Sequence, residues 1–362
     1  MTGLWRKYYD ALLAFIENEA GVEIKSDLIS IDKTVRKEFY KKFDKVRASF
    51  LAQRISEWLD EAQFLATKYA KIEGQLTELL RLREVMMPED LRRFLFDPMK
   101  QMVRDLFDPL FELIQEKIEP EEFEERAQQA VNESFRNYYQ MGYIKWFVLS
   151  LIQKLEPERI YEVPLPQPSS KEIIKHRQDI RQNIPFPRET KVLSFEVGRR
   201  DVLLIPDFIV RSAALEKYVA FRTDLGKAIW RATYHSEERD WFLIEDIVEK
   251  YGMISLKPDL LLYMDENLQD VSLVADSETI CQPDLQVFFM DQLEASEKRM
   301  SQELEEARLA HEILKPIKGT RLITKHHLPE SLTAETDKDM GIIHFGFNNL
   351  KWEGLLSLLK NE

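Results

Sequence analysis

Residues Lys257 to Thr279 read KPDLLLYMDENLQDVSLVADSET. Two apolar runs, PDLLLYM and DVSLVAD, flank the polar DENLQ, a pattern that predicts a β-hairpin. Upstream, KVLSFEV and DVLLIPDFIV predict two strands joined at Gly198-Arg199. Helical spacing predicts helices over Ala213 to Ala232 and Asp240 to Tyr251, the second ending at Gly252. Downstream, a long charged helix is expected from Val287 to Leu314, stopped by Pro316 and Gly319. Two short strands, TRLITKH and GIIHFGF, and a last amphipathic helix over Leu350 to Leu359 complete the chain. Strands mixed with helices in this order predict an α/β domain with a small mixed sheet over residues 189–362.

The N-terminal part reads differently. Trp5, Tyr8, Tyr9, Leu12, Leu13 and Ile16 fall on one helical face, and Thr34 to Leu82 repeats that spacing with Asp32 or Ser30 as a cap. Pro88, Asp97-Pro98, Asp108-Pro109 and Pro120 each mark a helix start or kink. Five to seven helices, a bundle or array, are expected over residues 1–158. Between them and the C-terminal domain, EVPLPQPSS and NIPFPRET cannot hold a helix or a central strand. Residues 159–188 are therefore read as a proline-rich linker carrying one short helix, and the whole chain as α+β.

Composition limits the function classes. The chain has 362 residues, 44% of them hydrophobic and 11% aromatic, enough for two or three packed cores. Cys281 is the sole cysteine, which excludes an internal disulfide and a cysteine-rich metal site and points to a reducing, cytoplasmic setting. The apolar run Tyr143 to Ile152 is too short to span a bilayer and reads as a buried helix. A net charge of −13 disfavours wholesale coating of nucleic acid. One local exception is the basic stripe Asp32 to Arg47, with Lys37, Lys41, Lys42 and Lys45, read first as a solvated helix face and second as a phosphate-contacting strip. Phosphate-binding glycine loops, the nucleophile-elbow motif and the zinc-protease motif are absent from the sequence. His326 and His327 are adjacent and read as surface residues. The aromatics Phe135, Tyr138, Tyr139, Tyr143, Trp146 and Phe147 lie at helical spacing in an apolar run and read as core.

One constellation carries chemistry. Asp259 opens the first strand of the expected hairpin, and Asp276 and Glu278 end the second, two apart and hence on one face. Three converging carboxylates would repel unless a divalent cation sat among them, and oxygen ligands suit Mg²⁺ or Mn²⁺. Such a cation would activate water for phosphodiester hydrolysis. Glu245 or Glu249, on the helix before the hairpin, would supply a fourth acid, and Lys257 a phosphate contact. A Pro-Asp step before an apolar run also occurs at Pro206-Asp207 and Pro283-Asp284.

Over residues 240–347 this arrangement resembles the PD-(D/E)XK nuclease superfamily: a helix with a Glu, Pro258-Asp259 opening a strand, an acid ending the next, then a helix and a strand. The resemblance implies a restriction-endonuclease-like fold with Asp259 and Asp276 as metal ligands and Glu245 or Glu249 as the helical acid. Glu278 stands where the family usually has lysine. Some members use Glu there, and others have lost catalysis. The leading expectation is an interaction, scaffold or regulatory subunit of an intracellular complex with a degenerate nuclease-like C-terminal domain. The alternative is a Mg²⁺- or Mn²⁺-dependent nuclease using Asp259, Asp276 and Glu278. Protein partners are expected, nucleic acid is left open, and a membrane partner is not expected.

Overall fold

The computed structural model describes residues 3–25, 28–163, 186–195, 206–223, 242–243, 249–252, 258–271, 279–280, 282–290, 297–325, 340–347 and 352–360. The chain divides into two compact units, residues 1–70 with 89–143 and residues 71–88 with 144–362.

The first unit is mostly helical. It contains α1 (Leu4–Asn18), α2 (Arg36–Arg54), α4 (Glu89–Phe96), α5 (Pro98–Asp105) and α6 (Phe107–Ile114), together with most of α3 (Ser56–Leu80) and the first two thirds of α7 (Pro120–Lys154). Seven helices before residue 155 match the upper end of the expected number. The proline steps act as helix starts: Asp97 caps α5 by accepting from the Lys100 amide at 3.0 Å, and α7 opens on Pro120 followed by Glu121 and Glu122. Trp5, Phe50 and Phe123 form a buried triad with ring centroids 5.0–6.0 Å apart. Glu124 closes it from above, accepting from Trp5 Nε1 at 3.2 Å and from the guanidinium groups of Arg6 and Arg54. Thr34 to Leu82 is not one run, because it breaks at Ile55 between α2 and α3. Neither Asp32 nor Ser30 caps α2, whose N-cap is Val35. A hairpin absent from the expectation, β1 (Val22–Lys25) with β2 (Leu28–Ile31), precedes α2.

The second unit is built on a mixed sheet of eight strands, not the small sheet expected. Across it run β14 (Met340–His344), β13 (Thr320–Thr324), β12 (Leu285–Phe289), β10 (Leu260–Asp265), β8 (Tyr218–Thr223), β7 (Phe208–Ser212), β4 (Pro157–Glu162) and β5 (Arg188–Glu189). Pairings from β5 to β12 are antiparallel, and β12–β13 and β13–β14 are parallel. Two further ladders pair β3 (Glu84–Met86) with β6 (Val192–Ser194) and β9 (Phe242–Leu243) with β11 (Thr279–Ile280).

Both faces of the sheet are covered, which explains why LLLYM and LQVFF lack polar alternation. On one face Met300, Leu304, Ala307, Ala310 and Ile313 of α8 (Glu297–Leu314) pack on Ile209, Ala220, Leu261, Phe288 and Leu322. On the other, Phe147 of α7 meets Phe289, Phe345 and Trp352 at 5.0–5.2 Å, Trp352 opening the final helix α9 (Trp352–Lys360). Tyr143 to Ile152 is thus a buried helical segment, as its composition implied. Among the described residues no helix is long and apolar enough to cross a membrane.

Four sequence expectations are corrected here. The helix expected from Ala213 includes Tyr218–Thr223, which is β8: its side chains are buried on both faces of the sheet, and sheet burial overrides the weak helical spacing. The helix expected from Val287 begins only at Glu297, because Val287 to Phe289 belong to β12. KVLSFEV contributes β6, which pairs in parallel with β3, while the described part of DVLLIPDFIV, β7, lies between β4 and β8. The expected turn at Gly198-Arg199 lies outside the described residues. The helix expected over Asp240 to Tyr251 is a strand at Phe242–Leu243, β9, although Gly252 does adopt the left-handed conformation expected of a helix stop, at φ 75°.

Candidate active site

Asp259 immediately precedes β10, as expected, while most of the second strand of the expected hairpin, including Asp276 and Glu278, lies outside the described residues. β10 pairs with β8 along its whole length and with β12 over Leu260–Leu262. The apolar run PDLLLYM thus acts as a central strand, for which two antiparallel neighbours satisfy the backbone. Asp276, Glu278, Glu245 and Lys257 lie outside the described residues, as do Cys281, His326 and His327. Glu249 is described and exposed. Among the described residues no group of three or more His, Cys, Asp or Glu is placed to hold a metal ion.

The local geometry of Asp259 is informative. Its amide donates to the Val287 carbonyl at 3.1 Å, and its Oδ2 accepts from the Phe289 amide at 2.7 Å. The other two Pro-Asp steps repeat this arrangement. Asp284 donates to the Leu262 carbonyl at 2.9 Å and accepts from the Met264 amide at 2.5 Å. Asp207 donates to the Phe221 carbonyl at 2.8 Å and accepts from the Thr223 amide at 2.6 Å. Each time the two bonds reach residues two apart on the antiparallel neighbour.

The chemistry of the dipeptide explains the repeat. Proline lacks an N–H and cannot continue the ladder as a donor, and beside it the neighbouring strand's next amide meets the Asp side chain where a regular ladder would offer a main-chain carbonyl. The Asp side chain supplies a carboxylate oxygen in its place, in a charge-assisted bond stronger than the one it replaces. Pro206, Pro258 and Pro283 are all buried at these points. On β10 and β12 the device is reciprocal: each strand's opening Asp holds an amide near the other's end.

Asp207 has a second role. Its Oδ1 accepts from Arg222 at 2.7 Å, both side chains being within 1% of full burial, and its Oδ2 also accepts from the Thr223 hydroxyl at 2.9 Å. Lys145 of α7 in turn donates to that hydroxyl at 3.2 Å. This buried polar group was missed from sequence, although the threefold Pro-Asp repeat marked one of its members.

The lysine stripe sits on the outer side of α2, opposite buried Phe39, Phe43, Val46 and Phe50. Lys37, Lys41 and Lys45 are exposed. Lys41 lies 3.6 Å from Glu38, while Lys42 and Lys45 rest over the rings of Phe15 and Tyr8 at 5.4 and 4.4 Å. Arg47 instead turns inward, donating to the Val103 carbonyl at 2.8 Å and to Asp44. Five of the six aromatics in the series are core, Phe135, Tyr139, Tyr143, Trp146 and Phe147 being buried, and Tyr138 is half-buried.

Comparison with protein-family models, with curated proteins and with solved structures yields no match for this chain.

Proposed function

We propose that the protein is a non-catalytic binding protein, an interaction or regulatory subunit whose sheet-rich part serves as a rigid scaffold. One observation carries this reading: an oxygen of Asp259, the residue on which the metal-site reading hinges, is an acceptor in the β10–β12 ladder, in the same geometry as Asp207 and Asp284. A residue type that recurs three times in one architectural role is accounted for without catalysis. The resemblance to the PD-(D/E)XK superfamily enters this proposal as a shared strand start without the chemistry, in line with Glu278 replacing the usual lysine.

Labelled single- and double-stranded DNA and RNA, incubated with Mg²⁺ or Mn²⁺ and the wild-type protein, test the proposal. It expects no cutting above a metal-free control. Cutting that requires metal and disappears in both Asp259→Asn and Asp276→Ala would overturn it in favour of the nuclease reading.

A further inference from the structure

An open pocket of about 970 Å³ lies in the second unit where α8 ends. Lys315 and Lys318 in the following turn, Arg321 on β13 and Lys250 from the short helical turn before Gly252 all line it. Glu312 is the one carboxylate among the described lining residues, and His311 and Tyr251 complete the polar wall. Four permanent cations around one cavity are unexpected in a chain of net charge −13. Cations near a helix C-terminus complement its dipole, which accounts for Lys315. That argument does not reach Arg321 or Lys250, which come from other elements.

The pocket is positioned by the frame already described. Lys315 follows α8 in the left-handed region at φ 41°, and its carbonyl accepts from Gln282 Nε2 at 2.7 Å. The Ile317 and Lys318 amides donate to the carbonyls of Pro283 and Asp284 at 3.0 and 2.7 Å, so the turn is pinned to the third Pro-Asp step. Arg321 lies over Gly341, its register partner on β14, where a Cβ would come within 3.2–3.5 Å of the Arg321 Cδ, Nε and Cζ atoms, and its Nη1 donates to the Thr320 carbonyl at 2.8 Å. Lys250 donates to Tyr251 Oη at 2.7 Å, and that hydroxyl donates to Glu312 at 3.2 Å. The bond to Tyr251 raises the Lys250 pKa.

We infer that this pocket binds a small phosphorylated ligand, its phosphates held by Lys315, Lys318 and Arg321. Ammonium groups from the turn after α8 and a guanidinium from β13 suit oxygens displayed in several directions, and the Tyr251 ring offers a face beside them. The inference is independent of Asp259 and of any metal, so its fate and that of the proposed function are separable.

Calorimetric titration of the full chain with inorganic phosphate, pyrophosphate, tripolyphosphate and ATP, in EDTA to remove bridging metal, tests it. Saturable binding is expected to strengthen with phosphate number and weaken with added salt. Equal affinity for ATP and tripolyphosphate would assign a free polyphosphate, and tighter ATP binding a nucleotide. Arg321→Gln and Lys318→Gln are each expected to weaken binding about tenfold or more. Gly341→Ala, which leaves every charge in place and displaces Arg321, is expected to weaken it in the same direction. No saturable binding up to millimolar concentrations would overturn the inference, as would unchanged affinity in Arg321→Gln and Lys318→Gln with the fold intact by circular dichroism.

Discussion

Asp259 and Phe289 are joined across the β10–β12 ladder by a side-chain to main-chain hydrogen bond of 2.7 Å. At the opposite end of the same strand pair Asp284 holds Met264 in the same way, and Asp207 holds Thr223 on the β7–β8 pair. The three bonds turn an apparent motif into an architectural device, and that change has measurable consequences.

Removing each carboxylate leaves a strand amide without its acceptor. Asp259→Ala and Asp284→Ala are expected to destabilise the protein by ~1–3 kcal/mol each. Asp207→Ala is expected to lose more, about 3–5 kcal/mol, because it also strands the fully buried Arg222 guanidinium. Asp259→Asn, whose amide oxygen still accepts, should lie closer to wild type than Asp259→Ala. Urea unfolding midpoints followed by circular dichroism check the order.

Asp105 closes α5 in the first unit, and its Oδ2 is buried with no hydrogen-bond partner among the described residues. Burial raises its pKa above the ordinary 3.8, against a Ser134 hydrogen bond that lowers it. The folded state therefore holds this proton to higher pH than the unfolded chain does. Stability falls as pH rises from the unfolded value through the folded one, and the penalty is complete above that window. Asp105→Asn is expected to raise the melting temperature at pH 7, with a smaller gain near pH 3.5. An equal gain at both pH values would show that charge is not the cause.

Tyr139 of α7 donates its hydroxyl to Glu61 at 2.6 Å from a fully buried ring. Burial, with Glu61 beside it, pushes the phenol far above its ordinary range, so the bond persists throughout physiological pH. Tyr139→Phe is expected to cost about 1–2 kcal/mol, uniformly from pH 6 to 9, in thermal or urea melts.

Much of this was legible in the sequence. Proline positions gave the starts of α4, α5 and α7, because proline suits a first helical turn whatever surrounds it. Gly252 gave a helix end for an equally local reason. Strand pairing was not legible: PDLLLYM and DVSLVAD look like a hairpin by proximity, yet β10 finds its neighbours at residues 218–223 and 285–289. Which strands meet is decided by burial across the whole sheet. β8 was read as helix because YVAFRT is buried on both faces and shows no period of two. The Pro-Asp repeat was visible, whereas its meaning required the amides of Thr223, Met264 and Phe289, far away in sequence. Gly341 and Arg321, twenty residues apart, could likewise be linked only through the parallel register of β13 and β14.

Residue-resolved amide hydrogen exchange, in wild type and Asp259→Ala with and without Mn²⁺, is the most direct test of the strand-clamp account. It predicts a protected Phe289 amide in wild type, unchanged by Mn²⁺, and protection lost at Phe289 but kept at Met264 in Asp259→Ala. A Phe289 amide that exchanges freely in wild type, or one that Mn²⁺ deprotects as Asp259 turns to the ion, would contradict it.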